Sequence, residues 1–196
     1  MAELPEYDAS HIEVLEFDES VRRRPGMYFY VARDDPRLVD GVLGVVLFDA
    51  IHPESRWEGS HSPVTAEITG DFAFSVANDR AEALATSEGE APADLLHRMN
   101  WQTRAAAAMS IRTVVEVWHD QTGLRQEFAG THPSAPPAAF SPPAGSGTRI
   151  SCVLDPSLFA PNAAISADGA DVDAHGPYCL IPHGPMEIRD LRRRTA

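Results

Sequence analysis

The sequence predicts an α/β fold, and three observations carry that prediction. After Pro36, apolar residues recur at helical spacing: Leu38, Val39, Val42, Val45, Val46 and Ala50. Apolar residues then alternate on both sides of Gly70-Asp71, at Val64, Ala66 and Ile68 and at Phe72, Phe74 and Val76, which is the pattern of a hairpin. A second pair of strand-like runs, Thr113 to His119 and Leu124 to Ala129, flanks a turn at Gln121 to Gly123.

Taken in order, residues 1 to 10 read as an extended arm. Ser10 caps a short first helix, with Glu13 three positions on in capping-box spacing. A second helix runs from Glu16 to Arg24 and ends near Pro25-Gly26. Pro36 suits the first turn of the long helix through Ile51, and Pro53 stops it. Glu82 to Glu90 is acidic and poor in apolar residues, so it is expected to be a loop. Ala93 to Ser110 is expected to be one helix, on Leu95, Leu96, Met99 and the alanine run from Ala105 to Ala108. Residues 131 to 147, with prolines at 133, 136, 137, 142 and 143, form a loop. Thr148 to Leu154 alternates as a strand, residues 160 to 177 form a connector, and Met186 to Leu191 closes the sheet as the last strand.

Composition narrows the function classes. The 196 residues leave room for one domain, 1–196, with 43% hydrophobic residues to fill a core. The net charge of −13 argues against a broad phosphate-binding surface, so direct nucleic-acid binding is not expected. A chain this acidic is a soluble acidic protein, or one whose surface meets a basic partner. Cys152 and Cys179 lack the spacing of a zinc site and are expected to be free, buried thiols in a reducing cytoplasm. The eight histidines show no i, i+4 pair and no cysteine partner in ligand spacing, so no metal site is expected. No charged-then-apolar leader opens the chain, and no apolar run approaches the roughly 18 residues of a membrane span. A cytoplasmic protein without a membrane segment is the expectation.

The stretch from Tyr7 to Tyr28, YDASHIEVLEFDESVRRRPGMY, is the most distinctive in the chain. Its V-R-R-R-P-G-M-Y string, with I-E-V-L-E upstream, resembles the start of the ATPase domain of DNA gyrase B subunits and topoisomerase IV. Weaker likenesses follow in collinear order. Val46 to Ile51 resembles the helix that carries the family's E-x-x-x-N motif. Phe72 to Asp79 resembles the strand leading into D-D-G-x-G. Val115 to Ala129 (VEVWHDQTGLRQEFA) resembles a family hairpin. Ser146 to Ile150 followed by Asp155 to Phe159 resembles "TGTxxxFxPDxxxF", and Pro185 to Arg194 resembles the terminal strand. The resemblance implies a two-layer sandwich in which helices cover one face of a mixed β-sheet. It also implies that the arm, with Tyr7, reaches across a homodimer to a neighbouring pocket.

Against that template the hydrolytic residues are replaced. Val45 stands where the family has its water-activating Glu, and a valine accepts no proton. Asp49 stands at the Asn that holds magnesium; its carboxylate could ligate Mg²⁺, or serve as a polar group near a helix end. Asn78 and Asp79 fall on the two acids of D-D-G-x-G, with Asn78 at the adenine-reading position. Arg80 and Glu82 fall on its glycines, which let backbone approach the ligand. The Gly-rich lid that cradles phosphates corresponds to Leu96–Ser110, which contains no glycine. Thr148 matches a threonine beside the adenine, and Arg125 matches an arginine on the pocket rim. The resulting expectation is a degenerate domain with no catalytic residues. It would bind a small ligand or a protein partner through Asp49, Asn78, Asp79, Arg125 and Thr148, without Mg-ATP as cofactor. The alternatives are a divergent enzyme that reuses the cavity through Asp49, Asp79, Glu82 and Arg125, and a weak ATP binder with residual hydrolysis.

Overall fold

The computed structural model describes residues 14–51, 63–81, 93–166 and 186–192. The chain enters through α1 (Phe17–Arg23), whose first turn is acidic (Asp18, Glu19) and whose last turn is basic (Arg22, Arg23). That order suits the helix dipole. Glu19 and Arg23 also pair at 2.6 Å across one turn. Pro25, in a helical conformation, leads into a second short helix, α2 (Gly26–Phe29), which ends at Tyr30 in the left-handed region with φ 59°.

The long helix α3 (Leu38–Ile51) is apolar nearly all round and buried to match. A Cβ on Gly41 would stand 3.2 Å from both Phe29 O and Val31 Cγ2, so the glycine is what lets α2 close on α3. The fourth helix is α4 (Trp101–Ala108), and its contacts are with α1, α3 and the sheet.

Among the described residues, eight strands form one mixed sheet: β1 (Val64–Gly70), β2 (Ala73–Asn78), β3 (Ser110–His119), β4 (Thr122–Ala129), β5 (His132–Pro133), β6 (Ala138–Phe140), β7 (Ser146–Leu154) and β8 (Met186–Asp190). The order is β5-β4-β3-β7-β2-β1-β8, with β6 also paired to β4. The β1–β8 pair is parallel and the other pairs are antiparallel. Side chains alternate between the faces. Val64, Ala66, Ile68, Phe74, Val76, Ile150, Cys152 and Leu154 join α3 and α4 in the main core. A second cluster packs Leu95, Leu96 and Ala107 on Val115, Val117 and Phe128. The opposite face carries Arg112, Glu116, Arg125, Glu127 and Arg149, which pair across strands. The expected two-layer α/β sandwich is therefore the fold.

Several boundaries differ from expectation, each for a local reason. Pro36 lies in a turn before α3, because the Asp35 side chain accepts from the Arg37 N–H at 2.9 Å and the helix starts at Leu38. The expected helix over 93–110 is two pieces, a 3₁₀ turn (Leu96–Arg98) and α4, with Met99 and Asn100 extended between them. Asn100 occupies the N-cap position but sends its side chain to another helix, as described below. Ser110 belongs to β3, whose register shifts between Ser110 and Arg112. The proline-rich loop holds two short strands on the sheet edge, where Pro133 disrupts no central ladder. Val14 to Glu16 are not helical, and the start of the helix expected after Ser10 lies outside the described residues. Cys152 is buried and free, and burial pushes its thiol up to about 11. Cys179 lies outside the described residues.

Candidate functional site

The long helix positions the first candidate. Asp49 faces α4 from the last turns of α3 and is only 9% exposed. Its Oδ1 accepts from Asn100 Nδ2, and its Oδ2 accepts from Thr103 Oγ1 at 2.5 Å. Burial raises the carboxyl's affinity for its proton, and the bonds from Thr103 and Asn100 oppose that rise. Both oxygens are thus committed to side chains at the start of α4. Val45, one turn earlier on α3, is buried among apolar groups.

The neighbouring residue ties α3 to the sheet. Ala50 O accepts from Asn78 Nδ2 at 3.3 Å. Asn78 Oδ1 accepts from the Arg80 N–H at 3.1 Å, an Asx-type turn that ends β2. Thr148, opposite Asn78 in the β2–β7 register, donates its hydroxyl to Arg80 O at 2.5 Å. Asp49, Asn78 and Thr148 therefore lie around one end of α3, on the helix-covered face. Their side chains all hold the protein to itself.

The other candidates fall elsewhere. Asp79 is exposed beyond the end of β2. Arg125 lies on the opposite face of the sheet, where its Nη1 donates to Glu116 Oε1 at 3.3 Å. Arg149 Nη1 donates to the other Glu116 oxygen at 3.3 Å, so one nearly buried carboxylate joins three strands. Arg149 also stands 5.8 Å over the ring of Trp118. Tyr7 and Glu82 lie outside the described residues. Among the described residues, no three His, Cys, Asp or Glu side chains are grouped as a metal site would need.

Two structural residues escaped the sequence reading. Gln126 is 2% exposed; its Oε1 accepts from the Leu95 N–H at 2.8 Å and its Nε2 donates to Ala135 O at 3.0 Å. The signal was present: Gln126 sits between Leu124 and Phe128 on the inward register, where a polar side chain needs a partner. Asn100 likewise stood just before a helical run, the usual place of a capping residue. A separate groove of about 670 Å³ lies between α1 and the ends of β3 and β4 and includes none of the candidates.

The mixed sheet with its helices is an α/β fold consistent with that of a gyrase-B ATPase-like domain. The structure is similar to the crystal structure of the B-subunit of the DNA gyrase from Myxococcus xanthus, with a TM-score of 0.56 and 25% sequence identity. The likeness covers 78% of this chain and 46% of that one, so the chain spans less than half of its neighbour's length. No protein-family model matches the sequence, and no curated protein matches it. No helix among the described residues is long and apolar enough to cross a membrane.

Proposed function

We propose that this is a gyrase-B-like domain that does not hydrolyse ATP and acts by binding, either a small ligand or a protein partner. The observation that carries the reading is the Asp49 network. At the position where the family holds magnesium, the carboxylate is engaged by Asn100 and Thr103 of its own chain. At the position of the base stands buried Val45. The segment that corresponds to the phosphate-cradling lid is α4, docked on α3 and free of glycine. Asn78 and Thr148 keep the adenine-side positions, but their polar groups serve the β2 end. A phosphate ligand would have to displace an internal carboxylate and reopen α4. Mg-ATP is thus a poor cofactor for this site.

The test is direct. Purified protein is assayed for phosphate release with and without Mg²⁺, and ATP binding is followed by calorimetry. The expected outcome is no turnover above buffer and a dissociation constant on the order of 1 mM or weaker, about 4 kcal/mol of binding or less. Turnover that co-purifies with the protein, or micromolar affinity, would overturn the reading.

A further inference from the structure

A second constellation of reactive side chains stands where β3 ends and β7 begins. His119 is the last residue of β3 and Ser146 the first of β7, and the antiparallel register sets them directly opposite each other. Ser146 Oγ and His119 Nδ1 are 2.7 Å apart, a hydrogen bond. The other ring nitrogen, Nε2, is 3.5 Å from Oδ2 of Asp120. A hydroxyl bonded to one imidazole nitrogen, with a carboxylate at the other, is the arrangement of a nucleophile, its base and the group that orients the base.

The backbone builds the group. His119 pairs with Thr122 across the two-residue turn Asp120-Gln121. Asp120 sits there at φ 55°, a left-handed conformation that aspartate adopts more readily than most residues. On the other strand Gly145 precedes Ser146 at φ 85°, and nothing lies within 4 Å of where its Cβ would stand. A substrate can therefore approach Ser146 from that side. Ile150 and Cys152 face the helices, so alternation puts Ser146 on the same face of β7; Val115 and Val117 do the same for His119 on β3. The pair stands at the rim of that face, with the His119 side chain 65% exposed. Water screens the charge of an exposed carboxylate, so the part left to Asp120 is orientation. An N–H on Nε2 points to its oxygen and leaves Nδ1 to accept from the Ser146 hydroxyl.

We propose that Ser146 is the nucleophile and His119 the general base of an acyl-transfer site for small esters with a good leaving group. Ser146 Oγ attacks the ester carbonyl carbon while its proton passes to His119 Nδ1. The bond from that carbon to the leaving oxygen breaks, and the leaving oxygen takes the proton from His119. Water then attacks the acyl-serine, with His119 again accepting a proton and returning it to Ser146 Oγ, and the carboxylic acid departs. Assistance by a general base is worth typically about 10²–10⁴-fold, which suits aryl esters rather than amides. The readout is an acyl group on Ser146, which neither ATP binding nor phosphate release reports, so this site and the binding role proposed above can fail separately.

The test mixes the full chain with p-nitrophenyl acetate, follows nitrophenol by absorbance and locates the acetyl group by peptide mass spectrometry. The chain contains no lysine, which removes the commonest bystander nucleophile. A burst of nitrophenol should precede slower turnover above buffer, with the acetyl group on Ser146. Ser146→Ala and His119→Ala should each lower the burst rate about tenfold or more while circular dichroism stays native. Asp120→Ala should lower it several-fold, and Asp120→Glu should restore it. Ser157→Ala removes a hydroxyl bonded to the Asp155 carboxylate instead of a histidine and should leave the burst unchanged. No acetyl group on Ser146, acetylation of His119 in its place, or a burst kept in Ser146→Ala or His119→Ala overturns the proposal. So does a burst indifferent to Asp120→Ala.

Discussion

Thr103, in the first turn of α4, donates its hydroxyl to Oδ2 of Asp49 on α3 at 2.5 Å, and both residues are buried. Asn100, at the N-cap position of α4, makes no capping bond to its own helix and donates to the other oxygen of Asp49 instead. The positive end of the α4 dipole therefore faces a carboxylate supplied from another helix. No cationic side chain contributes to the environment that sets its protonation. The charge is held by neutral donors alone, which makes each of them costly to lose.

The first prediction concerns those donors. Thr103→Val keeps the shape but removes the hydroxyl. It should lower stability by about 1.5–3 kcal/mol, the usual range for a hydrogen bond to a charged group. Asn100→Ala should cost a similar amount, and the double variant less than the sum, because both act on one carboxylate. Urea unfolding measures all three. An unchanged midpoint in Thr103→Val would show that the contact does not hold α4.

The second prediction is a pH dependence with a set sign. Burial raises the Asp49 pKa above its ordinary value of roughly 4. The folded protein therefore takes up this proton more readily than the unfolded chain. Asp49's contribution is most favourable below its unfolded pKa and declines as pH rises through its folded pKa. The arginine-paired carboxylates of Asp35, Glu127 and Glu187 act in the opposite sense. Hydrogen bonds from Arg37, Arg112 and Arg189 lower their pKa values, and what they contribute is lost as pH falls. Asp49→Asn should accordingly gain stability relative to the natural protein as pH rises above about 4. A relative loss over that range would mean that the bonds from Thr103 and Asn100 outweigh the desolvation.

Much of the fold was legible because its periods are strong. The alternation at Val64–Ile68 and Phe72–Val76 could belong only to a hairpin, and the V-R-R-R-P-G-M-Y string carried the architecture. What was not legible is tertiary. The Ala105–Ala108 run suggested one unbroken helix, but Asn100 gains more from a buried carboxylate than from continuing the helix. Arg125 is placed by strand register, which puts it with Glu116 and away from Thr148. One position along β4 would have reversed its face. Asp49 was singled out by its place in a motif, yet its bonding partners, some fifty residues on, leave no local trace.

The third prediction concerns residues 1 to 10. If the arm with Tyr7 exchanges between protomers, as the family resemblance implies, the full chain should sediment as a concentration-dependent dimer. A truncation starting at His11 should dissociate at higher concentration. The arm offers few apolar groups, so the interface is small and the dimer weak. Identical monomeric behaviour of both forms would remove arm exchange while leaving the fold untouched.

The fourth prediction tests how the β7 strand is seated beside Asn78. The Trp118 indole lies over Gly147, its cross-strand partner. A Cβ on Gly147 would stand 2.3 Å from Trp118 Cζ2 and 2.7 Å from the backbone oxygen of Asn78. The first obstacle is a side chain wedged on the sheet and the second is backbone, so neither yields cheaply. Gly147→Ala should therefore destabilise the protein by about 1–3 kcal/mol, the usual cost of overpacking. Trp118→Leu alone should also destabilise it, by emptying volume on that face. Combined, the smaller side chain should relieve part of the clash, giving a favourable coupling of about 0.5 kcal/mol or more in a double-mutant cycle. Strict additivity would place the strain at the Asn78 carbonyl instead, and amide exchange at Arg80 would then rise in Gly147→Ala whatever residue occupies position 118.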